Sequence, residues 1–265
     1  MIIDVHAHYD DEAFEEDLDE CMEKVKKAGV EKVINAATNY ESSIRAIELS
    51  HKYDNLYCVL GIHPEFVDSY SPEILTKIEE LIKDEPKAVG IGETGLDYYW
   101  LPKDNPEEVS RLKATQKVNF IEHIHMAERL KLPLVVHDRD AHFDTYNIIK
   151  DNVSGKVENL LHCYSGSAEM VRDFVEMNMS FSIGGVLTFK NAVKLVEAVK
   201  AMPRERILIE TDSPYLTPVP YRGKRNDSSY MMYTARRMAE ILDVSFDYIC
   251  HLTTENALRI FGKMH

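Results

Sequence analysis

Short apolar segments rich in β-branched residues recur eight times along the chain, and most precede a stretch of helical periodicity. The eight segments are Ile2–His6, Lys32–Ala37, Leu56–Ile62, Ala88–Glu93, Leu134–His137, Leu160–Cys163, Ser180–Gly184 and Ile207–Glu210. Near-continuous apolar strands that alternate with helices are typical of parallel strands buried on both faces. The pattern predicts an α/β protein with a (β/α)8 barrel. An open doubly wound sheet is the alternative, because periodicity does not distinguish the two.

Helices are predicted where apolar residues recur three or four positions apart and capping signals flank the run. Serine or asparagine followed directly by proline marks two helix starts, at Ser71 and Asn105. The best-defined helices are Asp17–Lys27, Asn105–Leu130, Met231–Leu242 and Phe246–Phe261. His123 and His125 fall in the second of these. We predict that both lie on the surface of that helix and bind no metal.

Composition and charge narrow the class of protein. The 265 residues contain no repeat or linker, which predicts one domain over residues 1–265. A net charge of −14 argues against coating nucleic acid by bulk electrostatics, although a local basic loop can still contact DNA. The four cysteines are scattered without a CxxC pair, as expected of reduced thiols. No apolar run approaches the ~20 residues of a membrane span. We therefore expect a cytoplasmic protein, and a monomer.

Side chains that can bind metal ions follow six of the eight predicted strands. The first strand ends in His6-Ala7-His8, whose two imidazoles leave the same face of a strand. The other five predicted strand ends contribute His63, Glu93, His137, His162 and Asp212. A single histidine after an apolar strand is more often a hydrogen-bonded core residue. In a parallel barrel, however, all these ends meet at one rim, where such enzymes build active sites.

Without His63, this set supplies enough nitrogen and oxygen donors for two metal ions that share a carboxylate. Paired metal ions acidify a bound water and clamp the reacting oxygens of a displacement, which predicts hydrolysis. The donors do not determine the metal. Imidazoles favour Zn²⁺ by affinity, whereas a mixed nitrogen and oxygen site can work with Mg²⁺ or Mn²⁺.

Six motifs carry a family resemblance. The motifs DVHAH, GIHP, GETGLDYY, HCYSGS, ETDSPYL and RGKRN run in this order from Asp4 to Asn226. Together they closely resemble the TatD family of metal-dependent deoxyribonucleases in the amidohydrolase superfamily. The resemblance implies a distorted (β/α)8 barrel. It also implies divalent-metal-dependent hydrolysis of DNA phosphodiester bonds, commonly as a 3′ exonuclease, and we expect single-stranded DNA as the substrate.

The resemblance also implies roles for individual residues. It makes His6, His8 and Asp212 ligands of one metal ion, His137 and His162 ligands of the second, and Glu93 the carboxylate between them. It places His63 beside the substrate phosphate. We predict Asp212, Glu93 and His63 as the catalytic residues, with a hydroxide held by the two metal ions attacking phosphorus and Asp212 accepting its proton.

A basic loop supplies the positive charge that the acidic body lacks. Its predicted substrate-binding residues are Arg222, Lys224, Arg225 and Asn226. The family motif commonly continues with Glu-Pro, whereas this chain continues with Asp227-Ser228, and Tyr164 stands where phenylalanine is common. The aromatic residues Tyr98, Tyr99, Trp100 and Tyr215 follow predicted strand ends. They can stack unpaired bases or plug the barrel mouth.

Two other functions fit the same donors. A metal-dependent hydrolase of a small amide, lactone or phosphate ester would use the same centre, because an activated water also attacks carbonyl carbon. The basic loop favours a phosphodiester over an amide. A non-catalytic metal-binding interaction protein would bind metal without turnover.

Overall fold

Eight parallel strands form one sheet whose strand order follows the chain from β1 to β8. The structure is a computed structural model that describes residues 2–264. The strands are β1 Ile2–Ala7, β2 Val30–Ala36, β3 Leu56–Leu60, β4 Ala88–Asp97, β5 Leu134–Arg139, β6 Asn159–Leu161, β7 Met179–Ile183 and β8 Ile207–Ile209. The order never reverses, which confirms the predicted (β/α)8 barrel and excludes the doubly wound alternative.

The barrel closes only narrowly between its first and last strands. One parallel bridge joins Ala7 to Ser213, just beyond β8. The amide of His8 donates to the carbonyl oxygen of Ser213 at 2.7 Å, and the amide of Asp212 donates to that of His6 at 2.9 Å. The seam is therefore held at the carboxyl ends of the strands, beside the candidate ligands.

Helices alternate with the strands around the barrel. They are α1 Leu18–Lys27, α2 Tyr40–Lys52, α3 Pro72–Asp84, α4 Pro106–Leu130, α5 His142–Asn152, α6 Ala168–Glu176, α7 Val193–Ala201, α8 Met231–Leu242 and α9 Phe246–Ile260. Both proline-marked starts are confirmed. Ser71 Oγ accepts from the amide of Ile74 at 3.2 Å, and Asn105 Oδ1 accepts from that of Glu108 at 3.1 Å. Within residues 2–264, every helix is too short or too polar to cross a membrane.

The C-terminal residues cover the amino-terminal end of the barrel. Phe261 and Met264 pack with strand residues such as Val5 in one buried apolar cluster. Lys263 Nζ donates to the carbonyl oxygen of Ala88, the first residue of β4, at 2.9 Å. Because this end is closed by apolar packing, the opposite end is the one that presents polar side chains.

The β4 strand runs four residues further than predicted. Its pairing shifts register between Ile91 and Thr94 and then continues along β5, where Gly95 lies opposite His137 and Asp97 lies opposite Arg139. Gly95 has a φ of +143°, and a Cβ atom there would overlap the carbonyl oxygen of His137. The polar second half of β4 is therefore strand because glycine allows this close approach.

The inner face of α4 is partly polar. His123 is fully buried, which corrects the prediction that it lies on the helix surface, whereas His125 is exposed as predicted. His123 Nε2 accepts from the amide of Ile62 at 3.1 Å, and its Nδ1 donates to the carbonyl oxygen of Asn119 at 2.7 Å. The buried ring thus satisfies a backbone group at the irregular end of β3, which helical periodicity alone does not reveal.

Candidate metal centre

The predicted ligands converge at the carboxyl end of the barrel. His6 and His8 lie at the end of β1, Glu93 lies within β4 and His137 within β5. His162 and Asp212 follow β6 and β8. Six side chains from five strands therefore meet at one end of the barrel, as the sequence argument expects.

One oxygen of Glu93 faces the first group of donors. Glu93 Oε2 lies 3.1 Å from His6 Nε2 and 3.5 Å from His8 Nε2. Asp212 Oδ1 completes the group, at 3.4 Å from His8 Nε2 and 3.8 Å from His6 Nε2. Two imidazoles and two carboxylates thus surround one small volume.

The other oxygen of Glu93 faces the second group. Glu93 Oε1 lies 2.7 Å from both His137 Nδ1 and His162 Nε2, and these two nitrogens are 3.1 Å apart. The ring of His162 stacks on that of His6, with centroids 3.9 Å apart. The two groups therefore adjoin, with a single carboxylate between them.

Hydrogen bonds on the far side of two rings determine which nitrogen faces Glu93. His8 Nδ1 donates to the carbonyl oxygen of Ala36 at 2.8 Å, and His137 Nε2 donates to Asp97 Oδ2 at 3.0 Å. In the neutral rings, the nitrogen atoms that face Glu93 are thereby left with lone pairs. A lone pair against a carboxylate oxygen is repulsive unless a cation or a proton lies between them. The donor set therefore fits divalent cations.

The charges of the centre are mutually dependent. Burial lowers the pKa of His8, but Asp212 and Glu93 outweigh burial and raise it to about 9. Burial raises the pKa of Asp212, but His8 and the neighbouring rings outweigh it and lower it to about 2. Burial likewise raises the pKa of Glu93, and the surrounding imidazoles bring it well below its ordinary value. Both carboxylates are ionised at neutral pH and attract cations.

Comparison with known proteins identifies the family. The family described as TatD related DNase matches residues 3–262. The chain belongs to this family. The resemblance seen in the motifs is therefore confirmed over nearly the whole chain.

Individual TatD-family relatives match along their full length. The Bacillus subtilis protein YabD, described as an uncharacterized metal-dependent hydrolase, is 41% identical over 263 residues, which cover 98% of this chain and 99% of YabD. YcfH of Escherichia coli, described in the same words, is 33% identical over 265 residues, which cover 98% of this chain and 96% of YcfH. The crystal structure of YjjV, a TatD homolog from Escherichia coli, has a TM-score of 0.90 at 27% identity and covers 98% of each chain.

His63 differs from the other histidines of this TatD-family centre. Its Nδ1 accepts from the amide of Glu65 at 3.1 Å, so the ring proton lies on Nε2. Nε2 lies 3.4 Å from Glu93 Oε1 and 3.3 Å from His137 Nδ1. In this tautomer His63 faces the centre as a hydrogen-bond donor, and its Nε2 lies close enough to Glu93 and His137 to form a third possible donor group with them.

Asn226 of the family's basic loop is buried. Its Nδ2 donates to the carbonyl oxygens of Thr211 and Tyr215, at 2.9 Å and 2.7 Å, and its Oδ1 accepts from the amide of Asp227 at 3.0 Å. The side-chain amide of Asn226 holds the loop to the segment that carries Asp212. The predicted contact of Asn226 with a substrate stays a prediction.

The three basic residues of the loop differ in whether their charge is already paired with a group of the protein. Arg225 donates to both carboxylate oxygens of Asp17 at 2.7 Å, so a carboxylate already balances its charge. Arg222 stacks on Phe189, with its guanidinium 3.9 Å from the ring centre. Lys224 is exposed, and within residues 2–264 its Nζ has only a ring contact, 5.4 Å from the centre of Tyr221. Lys224 and Arg222 therefore carry the positive charge that remains free.

Two carboxylates that support the centre were missed by sequence reasoning. Asp97 fixes His137, as described above. Asp4 is buried at the seam, where Oδ1 accepts from the amides of His6 and Thr211 and Oδ2 accepts from the hydroxyls of Thr211 and Ser228. A charged residue inside an apolar strand, as at Asp4, is the signal that would have identified it.

Proposed function

We propose that this protein is a metal-dependent hydrolase that cleaves phosphodiester bonds of DNA and removes nucleotides from the 3′ end of single strands. The observation that carries the proposal is the pair of donor groups on the two oxygens of Glu93. Membership of the TatD family supports DNA as the substrate. The 3′ polarity and the single-strand preference rest on the sequence resemblance.

The donor groups support a proposal of two divalent ions. His6, His8 and Asp212 would hold one ion and His137 and His162 the other, and Glu93 would contribute one oxygen to each group. Two divalent ions bound there lower the pKa of water and offset the negative charge of a phosphate. Mg²⁺ or Mn²⁺ is the working metal in this proposal, while Zn²⁺ binds such imidazoles with higher affinity.

The protein's own groups then handle protons and charge. Asp212 keeps 15% of its side chain exposed, and its Oδ1 faces the imidazoles, so the other oxygen accepts a proton from the attacking water. His63 donates a hydrogen bond from its Nε2–H group to a phosphate oxygen. Lys224 and Arg222 attract the DNA backbone. Asn226 positions the loop that carries these two residues.

Three further predictions stay with the proposal. They are a single domain over residues 1–265, a cytoplasmic location and a monomeric state. Gel filtration with light scattering measures the last of these directly.

Nucleotide release from a 3′-labelled single-stranded oligonucleotide tests the function. Native protein with Mg²⁺, Mn²⁺ or Zn²⁺ is compared with Glu93→Gln and Asp212→Asn. We expect release by the native protein and a loss of at least about 100-fold in each variant, because each removes a charge from the centre. Glu122→Gln, a change in a partly exposed glutamate of α4, is the matched control and retains activity.

Metal content separates the rival functions. If the native protein binds two ions per chain and releases no nucleotide with any of the three metals, the deoxyribonuclease proposal fails. Lactone, amide and small phosphate-ester substrates then become the ones to assay. If the protein turns over none of these substrates, the remaining alternative is a metal-binding protein without catalytic activity.

A further inference from the structure

Two aromatic side chains project into solvent from the turn that follows β4. Tyr99 is 48% exposed and Trp100 is 60% exposed. Their rings meet edge to face, with centroids 4.8 Å apart. Rings that plug a barrel mouth would be buried, so this pair does not act as a plug. The pair presents partly exposed ring surface to solvent.

Arg139 lies against both rings. Its guanidinium carbon is 4.0 Å from the ring centre of Tyr99 and 5.5 Å from that of Trp100. Among residues 2–264, no carboxylate forms an ion pair with Arg139. Arg139 also lies two positions beyond His137 on β5, so the two side chains leave the same face of the strand. Arg139 thus packs against the rings and lies on the same strand as His137, a candidate ligand.

One carboxylate fixes the rings relative to the centre. Asp97 Oδ1 accepts from the amides of Tyr99 and Trp100, at 2.9 Å and 3.2 Å. The other oxygen of Asp97 accepts from His137 Nε2 at 3.0 Å. The turn that carries the rings and the ring of a candidate ligand are therefore held by the same buried side chain. The backbone of the turn from which the rings project therefore has a set position relative to the metal centre.

We propose that Tyr99, Trp100 and Arg139 form a stacking platform for an unpaired nucleobase next to the scissile phosphate, with Arg139 contacting a neighbouring phosphate. This inference rests on the proposed function and names residues that would bind its single-stranded substrate. Exposed aromatic rings stack bases of any sequence, and arginine contributes to both stacking and backbone charge. Bases inside a duplex are stacked on their neighbours and cannot offer a face to these rings.

The chain provides its own reporter for the platform, because Trp100 is its only tryptophan. The native protein in Mg²⁺ is titrated with short phosphorothioate oligodeoxynucleotides, which resist hydrolysis, and tryptophan fluorescence is recorded. We expect quenching by a single-stranded tetranucleotide. An abasic strand of equal length keeps the phosphates but lacks the bases, and it leaves the emission nearly unchanged, as does a blunt hairpin duplex.

Variants test the energetic role of the platform. We expect Trp100→Ala to weaken binding of a dye-labelled tetranucleotide by about 5- to 100-fold, measured by anisotropy, and to raise KM for DNA more than it lowers kcat. Trp100→Phe retains most of the affinity, because the ring face remains. Arg139→Ala weakens binding of the normal and the abasic strand alike. Tyr248→Ala, a change in an exposed aromatic residue of α9, is the control and binds normally.

The outcomes distinguish this inference from the proposed function. Equal quenching by the normal and abasic strands, or by the tetranucleotide and the hairpin, overturns the platform even when the protein cleaves DNA. Unchanged tetranucleotide affinity in Trp100→Ala overturns it as well. Failure to cleave any oligonucleotide overturns the proposed function. The nucleotide-release assay measures cleavage independently of the fluorescence titration.

Discussion

His137 and Asp97 are joined by a hydrogen bond of 3.0 Å between Nε2 of the ring and Oδ2 of the carboxylate. Because this bond holds the ring proton on Nε2, Nδ1 faces Glu93 with a lone pair. Asp97 therefore selects the nitrogen that His137 offers to a metal ion. Partners of this kind orient the ligand and raise its basicity.

Asp97→Asn is expected to weaken metal binding at the His137 side by about 10- to 100-fold, measured by titration calorimetry with Mn²⁺. The amide group of asparagine donates to Nε2 and so moves the ring proton to Nδ1, which removes the lone pair. The substitution keeps the Oδ1 acceptor for the turn at Tyr99 and Trp100, and an unchanged tryptophan emission spectrum verifies this. Native affinity in the variant would show that another group fixes the ring of His137.

Metal binding should stabilise the folded protein. At a free metal concentration of 100 times Kd the gain is about 2.7 kcal/mol per site, which corresponds to a rise of about 5 °C or more in Tm. Chelation reverses the rise. Glu93→Ala removes a ligand from both groups, so we expect its Tm to respond little to Mn²⁺ in differential scanning fluorimetry. Glu122→Ala is the matched control. An equal rise in Tm on addition of Mn²⁺ in both variants would contradict the position of Glu93 between the two donor groups.

The fold and the metal centre could be predicted because their signals are local. Each candidate ligand follows or ends an apolar strand, and the two-residue period of a strand brings His6 and His8 to one face. The closed barrel then brings the strand ends together. No partner from elsewhere in the chain had to be known.

The contacts that sequence reasoning did not reveal depend on distant partners. Arg225 is paired with Asp17, 208 residues away along the chain, and the amide of Asn226 is held by Thr211. His123 is buried because Ile62, 61 residues earlier, needs an acceptor for its amide. A polar residue in a loop or helix gives the same sequence signal whether it is solvated or satisfies a buried group.

Lys224 and Arg225 are adjacent, but substituting them should affect different properties: DNA binding for Lys224 and protein stability for Arg225. Lys224→Ala removes a free charge, so we expect the slope of log affinity for DNA against log salt concentration to fall by about 1. Arg225→Ala breaks a partly exposed pair with Asp17, so it should change that slope little and lower the free energy of unfolding by about 1 kcal/mol. Anisotropy at several salt concentrations and urea unfolding measure the two effects. Equal slopes in both variants would refute the difference.

Gly95 is expected to tolerate no side chain. In Gly95→Ala the new Cβ overlaps the carbonyl oxygen of His137, and a φ of +143° is itself unfavourable for alanine. We expect a loss of more than about 3 kcal/mol in the free energy of unfolding, together with weaker Mn²⁺ binding as β5 shifts. Gly262→Ala has open space around its Cβ and is the matched control in urea unfolding. Similar stabilities for the two variants would argue against the close approach of β4 and β5.

His123 should make the stability of the protein depend on pH between about 4 and 6.5. Burial lowers its pKa from 6.5 to about 4, so in this interval the unfolded chain binds a proton that the folded chain does not. The stabilisation from the neutral ring is fully present above pH 6.5 and is lost as the pH falls towards 4, by about 3 kcal/mol in total.

Urea unfolding from pH 7 to pH 4.5 measures the free energy of unfolding of the native protein and of His123→Gln, whose side-chain amide does not titrate. We expect the native protein to lose stability more steeply than this variant as the pH falls, because all other titrating groups are shared. His125→Gln changes an exposed neighbour on the same helix and should follow the native profile. If His123→Gln and the native protein show parallel profiles, the ring of His123 is not held neutral by burial.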